Sequence, residues 1–393
     1  MNKWNYERLS EGVQKHYEWA VNVRRELHKI PERGFQEVKT RTLIAEKLEE
    51  IGCEYRVHEG GWITALVKGE LPGKVTGFRA DIDALPVTEP EGCPFISEHP
   101  GYMHACGHDM HTAIMLGTAR FLTEIKSEFA GSCCLMFEPA EETEGGAKPM
   151  TDAGIMEEAH VERVYGLHVM PRLAVGQVES RPGTLNASTD GVIITVKGTS
   201  SHGAYPENGN DAIVCACELV CALQTLVSRN VAPLETAVLT IGTINGGTAS
   251  NIISGSVEMT GTLRTADPKL RAKLIGRMDD MAKGIGQAMG CEVKIEVEEG
   301  YSALVNVPEH SQRVLDIAAD LFGRENALVK EAPSMGGEDF SYFLDHAPGA
   351  FFHVGCSPDA EHIGAPLHSE KFNPDERCMR IGIMMEAALA LNE

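Results

Sequence analysis

A chain of 393 residues is too long for one ordinary hydrophobic core and predicts two domains. Its 43% hydrophobic and 23% charged residues exclude a disordered chain, and no uninterrupted apolar run nears the ~18 residues of a membrane-spanning helix. A net charge of −22 disfavours nucleic acid and anionic membrane as partners, and it obliges the site for any anionic substrate to supply a local cation.

The opening stretch, MNKWNYERLSEGVQKHYEWA, is polar and carries no apolar signal core, so the expected location is the cytoplasm. Val13, Tyr17, Ala20, Val21, Leu27 and Ile30 recur at helical spacing until Pro31 stops the helix. A second amphipathic helix covers Val38–Ile51 and ends at Gly52. Short apolar runs at 62–67, 75–80, 133–138 and 161–169 read as strands, and 112–125 reads as a helix between them. This alternation predicts an α/β layered domain with a mixed, mostly parallel sheet.

The texture changes after residue 186. A strand at 191–198, a helix at 211–230, strands at 236–244 and 256–265, a helix at 268–289 and a strand at 291–299 follow in turn. The order β-α-β-β-α-β is the ferredoxin-like arrangement, complete within about 115 residues. The expectation is therefore a discontinuous domain, 1–186 with 300–393, interrupted by an inserted α+β domain over 187–299. A final helix covers 377–391. The eleven cysteines are scattered and odd in number, with Cys133 and Cys134 adjacent and Cys215, Cys217 and Cys221 inside one helical pattern, so they read as free thiols.

In open α/β sheets, ligands bind beyond the carboxyl ends of the strands. Asp81 and Asp83 in FRADIDALP, Glu138, Glu141 and Glu142 in MFEPAEE, and His168 in GLHV all fall near such ends. HACGHDMH adds Cys106 and His108, and APLHSE adds His368. Each has a bland alternative. His168 reads alone as a core histidine, Glu141–Glu142 as a solvated charge pair, and Cys-x-His as a chance spacing without a CxxC or HExxH partner. Together they form the thiolate, imidazole and carboxylate set used by zinc and neighbouring divalent metals.

RADIDALP, HACGHDMHTA, EPAEE, GLHV, SHGAYPENGNDAI, NIIS, MGGEDF and LHSEKF follow one another in an order that resembles the aminoacylase and carboxypeptidase family of metallohydrolases. Within it the chain is most similar to the branch of hippurate hydrolase, auxin-conjugate amidohydrolases and N-acetyldiaminopimelate deacetylase, from about Arg24 to Glu370. The resemblance implies a catalytic α/β domain, an inserted lid that joins subunits into a homodimer or homotetramer, and two divalent ions per subunit (Zn, Mn, Co or Ni). It places Cys106, His108, Glu142, His168 and His368 at metal positions, Glu141 as the catalytic carboxylate and Asp83 as the group that orients the site. His202, Asn251 and Arg264 match lid residues that approach the substrate. Where peptidase branches carry His, this chain has Asp81, which makes Cys106 the replacement ligand. Where many relatives have Pro, NIIS ends in Ser254.

The expected activity is hydrolysis of the amide bond of a small N-acyl-L-amino acid, with Glu141 as general base toward water. A dipeptidase or carboxypeptidase activity is the alternative within the family. A thiol hydrolase using Cys106 leaves Glu142, His168 and His368 without roles. A non-catalytic binding protein has no need of Glu141 beside five candidate ligands. His104 and His111 read as packing or supporting residues, and Asp109 as a carboxylate near a helix start.

Overall fold

The computed structural model describes residues 4–392, and the chain folds into two compact units. Among the described residues, the first contains 4–185, 305–332 and 339–392; the second contains 186–304 and 333–338. The boundaries expected from sequence assign 333–338 to the C-terminal piece. The bridge between Asn186 and Ser334 and the hydrogen bond from Ala187 N–H to the Ser334 carbonyl tie that segment to the second unit instead.

The first unit is built on an eight-stranded sheet. Its spatial order is Glu54–Val57, Ile63–Lys68, Ala130–Glu138, Leu71–Asp81, Arg163–Ala174, Gly349–Ser357, Val178–Ser180 and Ala327–Val329. The four central strands run parallel, whereas Ile63–Lys68 and Val178–Ser180 join them antiparallel. Central strands buried on both faces carry continuous apolar runs. Gly349–Ser357 is buried at all nine positions. Such a run has no period, so pattern alone does not identify GAFFHVGCS as a strand.

Helix His108–Glu124 packs on the sheet and against helices Tyr6–His28 and Arg377–Leu391. Having neighbours on all sides, it buries fourteen of its seventeen residues, including Met110, Ile114, Met115 and Leu122. It starts four residues before the apolar pattern that begins at 112. Its cap, Gly107, has φ 91°, and a Cβ there would stand 2.5 Å from Val169 Cγ2. Only glycine fits both the conformation and the space.

The second unit has a four-stranded antiparallel sheet ordered Ala237–Gly246, Ser256–Thr265, Ser188–Lys197 and Glu292–Glu299. With helices Ala212–Asn230 and Pro268–Met289, this is the ferredoxin-like arrangement. Asp211 and Asp267 cap the two helices, accepting from backbone N–H groups in the first turn. Val192, Ile194 and Val196 alternate toward Leu219, Leu223, Leu270 and Leu274. Among the described residues, Ala212–Asn230 alone is long and apolar enough to cross a membrane by length and composition. Its buried stripe of Cys215, Ala216, Leu219, Leu223 and Leu226 belongs to this unit's core cluster.

Candidate metal centre

Four segments of the first unit converge: the ends of two central strands, the middle of a third and the start of a helix. Asp81 ends Leu71–Asp81 and pairs in register with Glu138, which ends Ala130–Glu138. His168 lies within Arg163–Ala174, opposite His353 of the next strand. Cys106 and His108 stand at the start of the helix that follows Gly107.

The imidazoles are held from behind. His108 Nδ1 lies 3.0 Å from both the carbonyl oxygen and Oδ1 of Asp83, so Nδ1–H donates there and Nε2 is directed into the cluster. Asp83 Oδ2 accepts the Glu142 N–H at 3.0 Å, tying the acidic loop to the same carboxylate. His168 Nδ1–H donates to the Val169 carbonyl at 2.7 Å, leaving Nε2 3.3 Å from Cys106 Sγ. His368 Nε2 stands 2.9 Å from Glu142 Oε1, and its left-handed backbone (φ 64°) is held by its N–H to the Ala105 carbonyl.

Donor atoms of Cys106, His108 and His168 lie within 4.8 Å of one another, as do those of Cys106, Glu142 and His368, and of His108, Glu141 and Glu142. All five expected ligands and Glu141 are thus brought together. Ala140, just before the Glu pair, adopts φ 61°; its N–H donates to Glu37 Oε1 and its carbonyl accepts from Gly145 N–H. Glu141 Oε2 lies 4.0 Å from His108 Nε2.

The electrostatics call for a cation. His108 Nε2 is buried without a hydrogen-bond partner. Burial works against a charge on His108, yet Asp81, Asp83 and Glu142 outweigh it and hold its pKa up at about 10. Burial also keeps His168 well below the usual imidazole range, so it is a neutral donor. Cys106 is raised well above the usual thiol range, first by burial and then by Glu142 and Glu141. Cys106 and His168 have the spacing of a thiol–imidazole pair, but two carboxylates beside the sulfur oppose the thiolate that a nucleophile requires. A bound cation reverses that sign and deprotonates a coordinating thiol. The donor set therefore fits a divalent metal and disfavours the thiol hydrolase.

Other residues have different partners. Asp81 is engaged by Arg79 at 2.7 Å and by His111 Nδ1 at 2.6 Å, while His111 Nε2 accepts from Val169 N–H. Arg79 also holds Glu138 and Asp339 at 2.5 and 2.9 Å, so Glu138 is committed beneath the site. Asp109 pairs with Arg24 and His28, both at 2.7 Å. His104 is buried, both its ring nitrogens lack a partner, and burial lowers its pKa to about 3. Sequence reasoning does not single out Arg24, His28, Glu37, Arg79 or Asp339. Arg79 lies within RADIDALP and Asp339 within MGGEDF, but 260 residues separate this pair, so no local pattern announces it.

The remaining three candidates belong to the second unit. His202 is exposed, pairs with Ile252 across a two-stranded ladder, and accepts the Ala204 N–H at Nδ1, which leaves the proton on Nε2. Asn251 adjoins that ladder and accepts the Gly203 N–H at its carbonyl. Arg264 donates from Nη1 to the Met335 carbonyl at 2.7 Å. Ser254 is buried; its Oγ accepts Gly247 N–H and donates to the Ser256 carbonyl, holding the loop by side-chain bonds.

Histidine, thiol and carboxylate donors converging on the central strands of an α/β unit are what a divalent metal centre requires, and the relatives identify the class as metal-dependent hydrolases of amide bonds. The profile of Peptidase family M20/M25/M40 matches residues 77–392, and the chain belongs to that family. N-acetyldiaminopimelate deacetylase of Priestia megaterium is 40% identical over 368 residues, 93% of this chain and 96% of that protein. The Listeria monocytogenes serotype 4a protein of the same name is 38% identical over 367 residues, 92% and 96% of the two chains. Among solved structures, a dinuclear metal-binding peptidase of the M20 family from Bacillus subtilis superposes with TM-score 0.83 and 32% identity over 96% of this chain and 98% of that one.

Proposed function

We propose that this enzyme removes the acyl group from N-acyl-L-amino acids, with Glu141 as general base and with Cys106, His108, Glu142, His168 and His368 holding two divalent ions. The carrying observation is the buried, partnerless Nε2 of His108 among Cys106, Glu141 and Glu142. Ions bound there supply Lewis acidity and bring the pKa of water from 15.7 toward ~7. Glu141 holds the attacking water, takes its proton and delivers it to the departing nitrogen. Asp83 keeps His108 in the tautomer that directs Nε2 inward. His202, with its proton on Nε2, is the donor for the developing oxyanion, and Asn251 and Arg264 bind the remainder of the substrate. The names of the two relatives support an N-acyl amino acid substrate over a dipeptide.

The second unit is also the surface by which we expect chains to pair. Val238 and Ile244 on its edge strand, and Ile213 and Val214 on its helix, are exposed apolar residues, which supports that reading. The test of function is a panel of N-acetyl and N-benzoyl amino acids with matched dipeptides, assayed on chelated and on Zn-, Mn-, Co- or Ni-reconstituted protein. Metal-dependent release of free amino acid from the N-acyl compounds is expected. Turnover by protein shown to be metal-free, or cleavage of dipeptides alone, would overturn the proposal.

A further inference from the structure

Away from the centre just described, His28, Glu89 and Cys93 bring a nitrogen, an oxygen and a sulfur donor within 4.8 Å of one another. Local chemistry sets the loop that carries two of them. Gly92 takes φ 118°, Ile96 N–H closes a turn onto the Cys93 carbonyl, and Ser97 N–H donates to Glu89 Oε2 at 2.7 Å. Phe95 packs edge-on against His28 and beneath the Arg24 guanidinium. These contacts leave Glu89 Oε1 turned to His28 Nε2 at 3.1 Å, with Cys93 beside them. The far side of the imidazole is secured as well, because His28 Nδ1 bonds Asp109 Oδ2 at 2.7 Å. A carboxylate fixing one histidine nitrogen while the other faces further donors is the arrangement found behind metal-ligating histidines.

The group borders a cleft of about 360 Å³, also lined by Glu91 and Lys371. The His28 and Glu89 side chains are only 3% and 6% exposed, while Cys93 is half-buried, so a small ion can enter without unfolding. We propose that His28 Nε2, Glu89 Oε1 and Cys93 Sγ form a separate binding site for one thiophilic divalent cation such as zinc, with water completing its coordination. The donor types select zinc, cobalt or cadmium over magnesium and calcium. Binding releases the Cys93 thiol proton and any proton on His28 Nε2, while Nδ1–H remains donated to Asp109. One thiolate and one carboxylate then match the charge of the ion. Without metal, the same residues form an imidazole–carboxylate contact beside a neutral thiol.

The test is equilibrium uptake of zinc and of cobalt by full-length protein, comparing wild type with Cys93→Ser and Cys93→Ala. Cys93 faces a cleft rather than the core, and circular dichroism establishes that each variant is folded. Wild type is expected to take up one more equivalent than either variant, with a correspondingly greater thiolate-to-cobalt absorption than the variants show. Because the readout is a difference, it does not depend on how many ions the catalytic centre holds, and the thiolate of Cys106 contributes equally to all three proteins. Uptake and absorption equal to wild type in either folded variant would overturn the proposal.

Discussion

Asp83 holds His108 and Glu142 at once: one carboxylate oxygen faces His108 Nδ1 at 3.0 Å and the other accepts the Glu142 N–H at 3.0 Å. Asp83→Asn retains an acceptor but removes the charge and can donate toward a nitrogen that must itself donate. Metal affinity is expected to fall roughly 10–100-fold. Competition against a chromophoric chelator measures it, and an unchanged affinity would show that the bond does not orient a ligand.

The adjacent glutamates are expected to fail differently. Glu141→Gln keeps the shape and loses the base, so kcat should drop by roughly 10²–10⁴ with metal content near wild type. Glu142→Gln should instead lower metal occupancy. Elemental analysis beside kcat separates them, and the opposite pattern would mean that their roles are exchanged.

Arg264 tests substrate recognition. Its guanidinium uses one Nη1 donor on the Met335 carbonyl and has others for a carboxylate. Arg264→Ala is expected to lower kcat/KM for N-acyl amino acids by about 1.5–3 kcal/mol, and much less for their α-amides. Equal losses on acid and amide substrates would remove it from carboxylate binding.

Glu386 governs a pH effect on stability far from catalysis. Buried on helix Arg377–Leu391, it accepts the Thr118 hydroxyl at 2.6 Å, and burial raises its pKa from 4.5 to about 8. Below pH 4.5 the folded and unfolded chains both hold the proton. Between pH 4.5 and about 8 only the folded chain does, so this group's stabilising contribution is progressively lost as pH rises. Glu386→Gln removes that titration and is expected to be more stable than wild type by roughly 1–3 kcal/mol at pH 8. The gap in thermal unfolding should widen from pH 5 to 8; parallel curves would assign Glu386 an ordinary pKa.

Chemistry-bearing residues are legible in the sequence where they occupy short, contiguous motifs. EPAEE starts on the last residue of the apolar strand Ala130–Glu138, HACGHD opens a helix and GLHV lies within an apolar strand, and each announces donors that the structure brings together. The β-α-β-β-α-β order of the second unit is equally legible, since its strands alternate in burial and each helix carries one apolar stripe.

Tertiary structure alone decided which partners the acidic side chains meet. Asp81 and Glu138 look like candidate ligands in sequence, but Arg79 engages both, and its third partner Asp339 is 260 residues away. His111 reads from sequence as a packing or supporting residue, and only the fold supplies the Asp81 and Val169 bonds that give it that role. Residue identity determines what an atom can donate, accept or ligate. Whether it remains free to do so depends on neighbours that arrive only when distant segments pack, because a buried polar atom must find a partner wherever the fold places one.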